Sequence, residues 1–413
     1  MSRSRYYLNE TTLAFRNLFR QKRRSIISLA AVIFGIAALI LSSGFIQWIF
    51  LDFREASIKS QLGHLQITRP GYFAAGSADP YAYLLPESLS KFLTPENTSD
   101  QIIAIVPRLN FSGLISHNES TLSFIGEGVD PQEHTFFGDA LQITEGQYLS
   151  NTLPNHIIAG EGLAHNLGLN VGDRVVLLAS TTYGGINAIE VVIRGLFTTV
   201  TKSYDDIAIR IPIETARKLL RTESTHRWIV LLKNTEQTDH TLAILRNSLP
   251  SNEFEIVPWY ALADFYNKTV VLFSKQVLGI KVIIAAIILL SIFNTMSINI
   301  LERTGEIGTA MALGVKRAGI MRLFINEGIM IGCIGGLIGL IVGLFFAHII
   351  SHVGIPMPPP PGMARGYTGE ILVTAEIAIE SLLLAVATTL VASIFPAWKA
   401  SRMQIVDALR RNN

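Results

Sequence analysis

His348 and His352 stand four residues apart, the spacing that puts two imidazoles on one helix face where they could share a metal ion. No third ligand follows them in the sequence, and the interfacial reading is the better one. The other seven His are scattered, and Cys333 is the one cysteine. No G-x-x-x-x-G-K-[ST] loop is present to cradle nucleotide phosphates, and no H-E-x-x-H or Cys pair to hold zinc. Lys281, Glu376 and Glu380 fall at the ends of apolar runs, and no charge falls within one. A proton relay or ion-coupling site needs such a charge, so none is expected. The expectation is therefore no catalytic residue, no metal ligand and no cofactor held by this chain.

The elements that carry these residues are apolar helices. Of 413 residues, 49% are hydrophobic and 16% charged, against about 25% charged in an ordinary soluble domain. The net charge of +2 leaves no footprint for nucleic acid. Charge-free runs occupy 25–51, 282–301, 328–351 and 381–398. About 20 apolar residues cross a hydrocarbon layer of about 30 Å, so all four read as transmembrane helices. With flanking turns the expected boundaries are 25–51, 277–301, 328–351 and 376–398. Between them lie an N-terminal segment 1–24, an insert 52–276, a loop 302–327, a Pro-rich loop 352–375 containing PMPPPPG, and a tail 399–413.

Charge sets the expected orientation. Residues 1–24 hold seven Lys/Arg and one Glu. The loop 302–327 and the tail are also basic, whereas 352–375 is not. Basic segments stay in the cytoplasm. The insert holds 24 acidic and 17 basic residues and is expected across the membrane. Its lack of cysteine fits a periplasm-like compartment. The resulting expectation is a multi-pass protein of a bacterial inner membrane with both termini cytoplasmic.

The insert reads as α+β. Alternating or β-branched runs predict strands at 64–68, 101–106, 121–125, 174–178, 189–199, 206–211 and 228–232. Helices are predicted at 162–167, 212–220 and 238–249, and the run 206–257 suggests a compact βαβ-like module. Residues 71–100 read as an irregular loop. The first uncharged run would be about 40 Å long as a helix. It could tilt, or rise from the bilayer as a stalk. The expected fold class is thus a membrane protein of four transmembrane helices with a large α+β domain inserted between helices 1 and 2.

Two features suggest contacts. Gly328, Gly332, Gly335, Gly336, Gly339 and Gly343 form overlapping small-xxx-small pairs, expected as one ridge that a second helix approaches closely. Ile307, Ala310, Met311 and Gly314 share one face of a short helix preceded by Glu302, Arg303 and Glu306. That face needs a partner protein or a lipid surface. Leu8, Thr12, Phe15 and Phe19 repeat the pattern beside basic residues, as in a helix lying on the inner leaflet.

The run ERTGEIGTAMALGVKRAGIMRLFINEG (302–328) and the glycine-rich span after it resemble the permease domain of the MacB, FtsX and LolC/LolE family of ABC transporters. GEGLAHNLGLNVGDRVVLLAS (160–180) and the VVIRGLF and DDIAIRIPIETARKLL segments resemble that family's periplasmic core. The resemblance implies a non-enzymatic permease that pairs with a second, identical or homologous permease and with an ABC ATPase dimer carrying the ATP and Mg. ATP-driven motion would pass to the periplasmic domain, which works with a carrier or adaptor protein. By position, Glu302, Arg303, Glu306, Ile307, Ala310, Met311, Leu313 and Gly314 would couple to the ATPase. The build resembles LolC or LolE more than full-length MacB, which implies release of lipoproteins or other lipidated molecules. An acyl chain would enter sideways from the membrane lipid, past Ile36, Ile40 and Phe45 of the first span and Ile287, Leu290 and Phe293 of the second. A MacB-like efflux permease and an FtsX-like activator of a periplasmic hydrolase are the alternatives.

Overall fold

The computed structural model describes residues 22–76, 79–85, 101–137, 141–199, 201–358 and 366–404. The expected amphipathic segment around Leu8–Phe19, most of the PMPPPPG run and the end of the tail lie outside these residues. The chain forms two compact units, one of Met1–Phe50, Val270–Pro356 and Thr368–Asn413, the other of Leu51–Thr269 and Met357–Tyr367.

Helix α1 (Lys22–Ser57) runs for 36 residues and passes into a π-helical turn, Ile58–Leu62. At 1.5 Å per residue it is about 54 Å long. A tilt of 40° uses only about 40 Å of helix to cross a 30 Å layer, so part of α1 lies beyond the hydrocarbon. The turn stops at Gly63, whose φ is +62°. A Cβ there would strike the Ile229 side chain, so only glycine allows this exit.

In the inserted unit, β1 (Leu65–Thr68), β2 (Ile102–His117), β3 (Ser120–Val129), β4 (Gln142–Gly146) and β5 (His156–Gly160) lead to α2 (Glu161–Leu167). Then come β6 (Arg174–Ser180), β7 (Ile186–Thr198), β8 (Ala208–Pro212), α3 (Ile213–Leu220), β9 (Arg227–Leu232), α4 (Thr238–Ser248) and β10 (Glu255–Pro258). The strand order is β10-β1-β9-β2-β3-β8-β5-β7-β4, with β6 paired to β2 and β7. The pairings β2-β3-β8-β5-β7-β6-β2 therefore close into a ring. Its core is Leu109, Phe111, Ile115, Phe124, Ile157, Val175, Leu177, Ile193 and Ile209, with Leu163, Ala216 and Leu219 from α2 and α3. A second core, with Leu65, Ile67, Val230, Leu232, Leu242, Leu245 and Ile256, joins β1, β9, β10 and α4.

The compact βαβ-like module expected over 206–257 does not form. β8 pairs with β3 and β5, and β9 pairs with β1 and β2. Only β9-α4-β10 is a βαβ unit, and it is split by β1, which runs antiparallel to both strands. Within 71–100 the described residues include a helical turn Tyr72–Ala75, a 3₁₀ turn Pro80–Tyr83 and a bridge from Leu85 to Thr225. Those residues are structured, unlike the irregular loop the Pro and Gly content suggests.

The other unit holds α1 up to Phe50, α5 (Asp264–Glu302) from Val270 on, α6 (Thr304–Ala312), α7 (Arg317–Val353) and α8 (Ala375–Ser401). α1, α5, α7 and α8 are all long and apolar enough to cross a membrane. α5 begins at Asp264 rather than 277. Lys268 and Lys275 interrupt the apolar pattern, but neither breaks a helix, and Lys268 pairs with Asp264 one turn earlier. α7 begins at Arg317 rather than 328, because 317–327 is itself amphipathic and packs Ile320 and Phe324 inward. The segment 302–327 is thus mostly helix. Two three-residue strands, Ile355–Met357 and Tyr367–Gly369, interrupt the loop before α8.

The glycines of α7 form two rows, not the expected single ridge. A Cβ on Gly328, Gly332 or Gly336 would meet Ser393, Thr389 or Ala385 of α8. A Cβ on Gly335, Gly339 or Gly343 would meet Val32, Ile33 or Ile40 of α1. Gly335 and Gly336 are successive residues, hence about 100° apart around the helix, which separates the rows. α8 answers with small polar residues whose hydroxyls stay satisfied within their own helix. Ser381 donates to Ile377 O (2.7 Å), Thr388 to Leu384 O (2.7 Å) and Ser393 to Leu390 O (2.8 Å).

Candidate functional site

Helix α6 is nine residues long and is joined to α5 by one residue, Arg303, whose backbone leaves the helical region (φ −95°, ψ +15°). Ile307 and Met311 are 5% and 8% exposed, packed with Ile300, Ile320 and Phe324. Ala310 is half-buried against the same cluster. The apolar face expected to meet a partner is therefore occupied by the chain's own bundle. What α6 offers outward is Leu313, 82% exposed, then Gly314 at φ +95° and Val315. Lys316 and Arg317 follow, exposed, with Glu302 and Glu306 on the accessible side. The buried face fixes the helix, and Leu313–Arg317 are exposed. Of the expected contact residues, Glu302, Glu306, Leu313 and Gly314 meet solvent, and Arg303 is half-buried.

A carboxylate missing from the sequence reading lies at the other end of α6, beside Arg303. Glu327, on α7, is 3% exposed. It accepts a hydrogen bond from Asn299 Nδ2 at 3.0 Å and lies 3.8 Å from Arg303 Nη1. Arg303 Nε also donates to Glu306 (3.1 Å), and its guanidinium stands 5.9 Å from the Phe324 ring centre. The expectation that no charge falls within an apolar run stands beside this buried charge at the edge of one. Glu327 immediately precedes the uncharged run 328–351, so its burial was invisible in composition.

Of the candidate lining residues, Ile36 and Ile40 are fully buried against α5 and the Gly339–Gly343 row of α7. They have no surface for a ligand. Ile287 and Leu290 are 57% and 64% exposed on the apolar outer face, and Phe293 packs on Phe395. Phe45 is half-buried beside Gly369. A cavity of about 400 Å³ lies instead between α1, α5 and α8. Ile46, Phe50, Val277, Leu278 and Ile377 give it an apolar wall, and Ser43, Gln47, Ser274, Thr374 and Glu376 a polar one. Lys281 and Glu380 close it with an ion pair of 2.5 Å. His348 and His352 are exposed, and among the described residues no three His, Cys, Asp or Glu side chains could hold a metal together.

The inserted unit has its own buried polar site. Strand register lines up Arg227 with Arg108, and Glu127 with Arg210. Glu127 accepts from Arg227 at 2.8 Å and lies 3.3 Å from Arg210 and 3.5 Å from Arg108. Glu133 lies 3.0 Å from Arg108 and 3.4 Å from Arg210, and accepts from the Tyr148 hydroxyl at 3.1 Å. Burial alone would raise the Glu127 pKa. The three guanidinium groups outweigh it and hold the carboxyl down to about 2. Burial, with the Glu133 charge, pushes the Tyr148 phenol well up. Arg210 also donates to Ser60 O (2.8 Å) and Gln66 to Leu62 O (2.8 Å), so this network satisfies carbonyls of the π-helical turn.

A second chain of bonds starts at the same turn. Leu232 N–H donates to His64 Nδ1 at 3.1 Å, which assigns the proton to Nε2. Nε2–H then faces Thr235 Oγ1 at 3.0 Å, and the Thr235 hydroxyl donates to Glu55 at 2.7 Å. The trio has the composition of a nucleophile, base and acid. It cannot act as one, because the imidazole has no free lone pair to take the Thr235 proton. Burial lowers the His64 pKa to about 4 and keeps the ring neutral. These bonds are structural ties between strand β9, the 235–237 turn and the end of α1.

Residues 25–248, more than half of the chain, match the MacB-like periplasmic core domain. Residues 279–405 match the FtsX-like permease C-terminal domain. An ABC transporter permease of Methanocaldococcus jannaschii is 25% identical over 65% of each chain. The lipoprotein-releasing system transmembrane protein LolC of Xylella fastidiosa is 24% identical over 72% of each. The macrolide export protein MacB of Hyphomonas neptunium is 28% identical over 50% of this chain and 31% of its own. The chain thus spans less than two thirds of the first of these relatives and about a third of the last. The crystal structure of the periplasmic region of MacB from Actinobacillus actinomycetemcomitans covers 52% of this chain and 95% of that one, at TM-score 0.36 and 11% identity.

Proposed function

Because the chain belongs to the MacB/FtsX/LolC family of ABC transporter permeases, we propose that it relays ATP-driven motion from an ATPase subunit docked at α6 to the inserted domain. The observation that carries this reading is the division of labour on α6. Ile307 and Met311 tie it to the bundle, while the Leu313–Arg317 corner stands free. A short helix held rigidly on one side and exposed on the other passes a push into its bundle rather than rotating under it. In this reading the basic flanks and α6 face the cytoplasm and the acidic insert faces the periplasm. ATP and Mg belong to the ATPase, and a second permease completes the assembly.

The substrate in this reading is a lipoprotein or another lipidated molecule. LolC, a relative matched over 72% of its length, is named for a lipoprotein-releasing system. The cavity between α1, α5 and α8 has the mixed lining that an acyl chain joined to a polar head requires. Its residues take the lining role first expected of Ile36 and Ile40. A photoreactive amino acid at Leu278 in living cells tests the substrate. Crosslinks to lipoproteins support it. Crosslinks to a wall hydrolase or an efflux adaptor, with none to lipoproteins, replace it with one of the alternatives. Capture of an ATPase subunit by the purified chain tests the coupling.

A further inference from the structure

Glu327 is an ionisable side chain buried inside a helix long and apolar enough to span a membrane. Such a group is costly unless paired, and its partners show what it serves. Here both partners sit at one corner. Asn299 stands in the last turn of α5, and Arg303, one turn on, is the single residue between α5 and α6. The backbone hydrogen bonds pass straight through that corner: Arg303 N–H donates to Asn299 O (3.1 Å), and Ile307 N–H to Arg303 O (2.9 Å). They tether the two helices through Arg303, whose backbone (φ −95°, ψ +15°) departs from the helical region. Glu327 grips both corner residues from α7, and Arg303 extends the grip to Glu306 on α6. The carboxylate thus joins α7 to the end of α5 and to the residue that leads into α6.

We propose that Glu327 is the positioning residue that fixes α6 against α5 and α7, so that a push on α6 moves both long helices instead of bending the Arg303 corner. This rests on the reading of α6 as the ATPase contact. Glu327 does not itself touch the partner in this scheme, being covered by the bundle. Its loss should therefore separate binding from transmission. A residue that merely stabilised the fold would impair both.

The test uses the full chain with its ATPase subunit in lipid nanodiscs. E327Q keeps an acceptor for Asn299 and removes the charge that faces Arg303. The expected result is an ATPase affinity within two-fold of wild type, with permease-dependent control of ATP hydrolysis reduced at least ten-fold. The distance distribution between spin labels at Thr309 and Leu344, in a C333S background, should broaden. R303Q should reduce control to a similar degree, and the double variant E327Q/R303Q no further than either alone. E327Q with wild-type control overturns the proposal, as do losses that multiply in the double variant. Should E327Q fail to insert stably, N299A carries the test through the same readouts. It leaves carboxylate and guanidinium in place and removes one grip, with a two- to five-fold loss of control expected and wild-type control again contradictory. A wild-type chain that binds no ATPase at α6 instead overturns the coupling reading itself.

Discussion

Neutralising Glu127 is the sharpest test of what holds the inserted unit together. Three guanidinium groups face this one carboxylate within 3.5 Å. Glu127→Gln preserves shape and leaves Arg108, Arg210 and Arg227 with Glu133 as their remaining buried counter-charge in the network. Two routes give the size of the loss. Breaking a buried ion pair by removing one partner costs about 3–5 kcal/mol. A carboxyl held near pKa 2, against an ordinary value of 4.5, corresponds to about 3 kcal/mol of preference for the charged form in the folded state. The routes agree, so the expected loss is about 3 kcal/mol. Hydrogen exchange of β3, β8 and β9 amides in the full chain should quicken by about a hundred-fold. The sign with pH follows: this stability is present above about pH 4.5 and is lost as pH falls towards 2, and E127Q should lack that loss. Exchange rates within five-fold of wild type, or an unchanged acid limb, would refute the claim that this network carries the fold.

His64 adds a second pH limb. Its folded pKa lies below the ordinary 6.5, at about 4, so the unfolded chain binds the extra proton first. Stability is then complete above pH 6.5 and falls by about 2–3 kcal/mol on acidification to pH 4, a slope that denaturant titrations should find missing in His64→Leu. In the bundle, Gly332→Val should drive α7 and α8 apart and abolish the stable protein in thermal melts, since a Cβ there already meets Thr389. Gly279→Ala meets nothing and should raise stability by about 0.5–1 kcal/mol through helix propensity. On α6, Leu313→Asp should lower ATPase capture at least ten-fold while leaving the melting temperature unchanged. Met311→Asp should lower the melting temperature itself, by burying a charge among Ile300, Ile320 and Phe324.

Much of this architecture was legible because its signals are local. Four uncharged runs fix four helices, and strands such as 174–178 and 228–232 announce themselves by β-branched residues. β2 did not. Its sixteen residues include Pro107, Arg108, Asn110, Ser112 and Gly113, which break any alternation. The strand persists because β9 covers its first half while β3 and β6 cover its second. The charge network was illegible for the same reason: Arg108, Glu127, Arg210 and Arg227 are single charges on separate strands that only the sheet register aligns. The short helix α6 was legible, but not which way its apolar face turns, since a nine-residue amphipathic helix has the same pattern whether that face meets a partner or its own bundle. The glycines were found too. Their sorting into two rows depends on which helices flank α7, which no local pattern records.

The measurement that bears most directly on force relay is site-specific photocrosslinking from Leu313 combined with ATP-dependent distance measurements on the inserted unit. With the reactive group at residue 313, the adduct should be an ATPase subunit. Labels at Tyr183 on two copies of the exposed β6–β7 hairpin should change separation when ATP is added and return when it is hydrolysed. An adduct only with lipid or with unrelated proteins, or a hairpin separation indifferent to ATP while the ATPase turns over, would contradict the account.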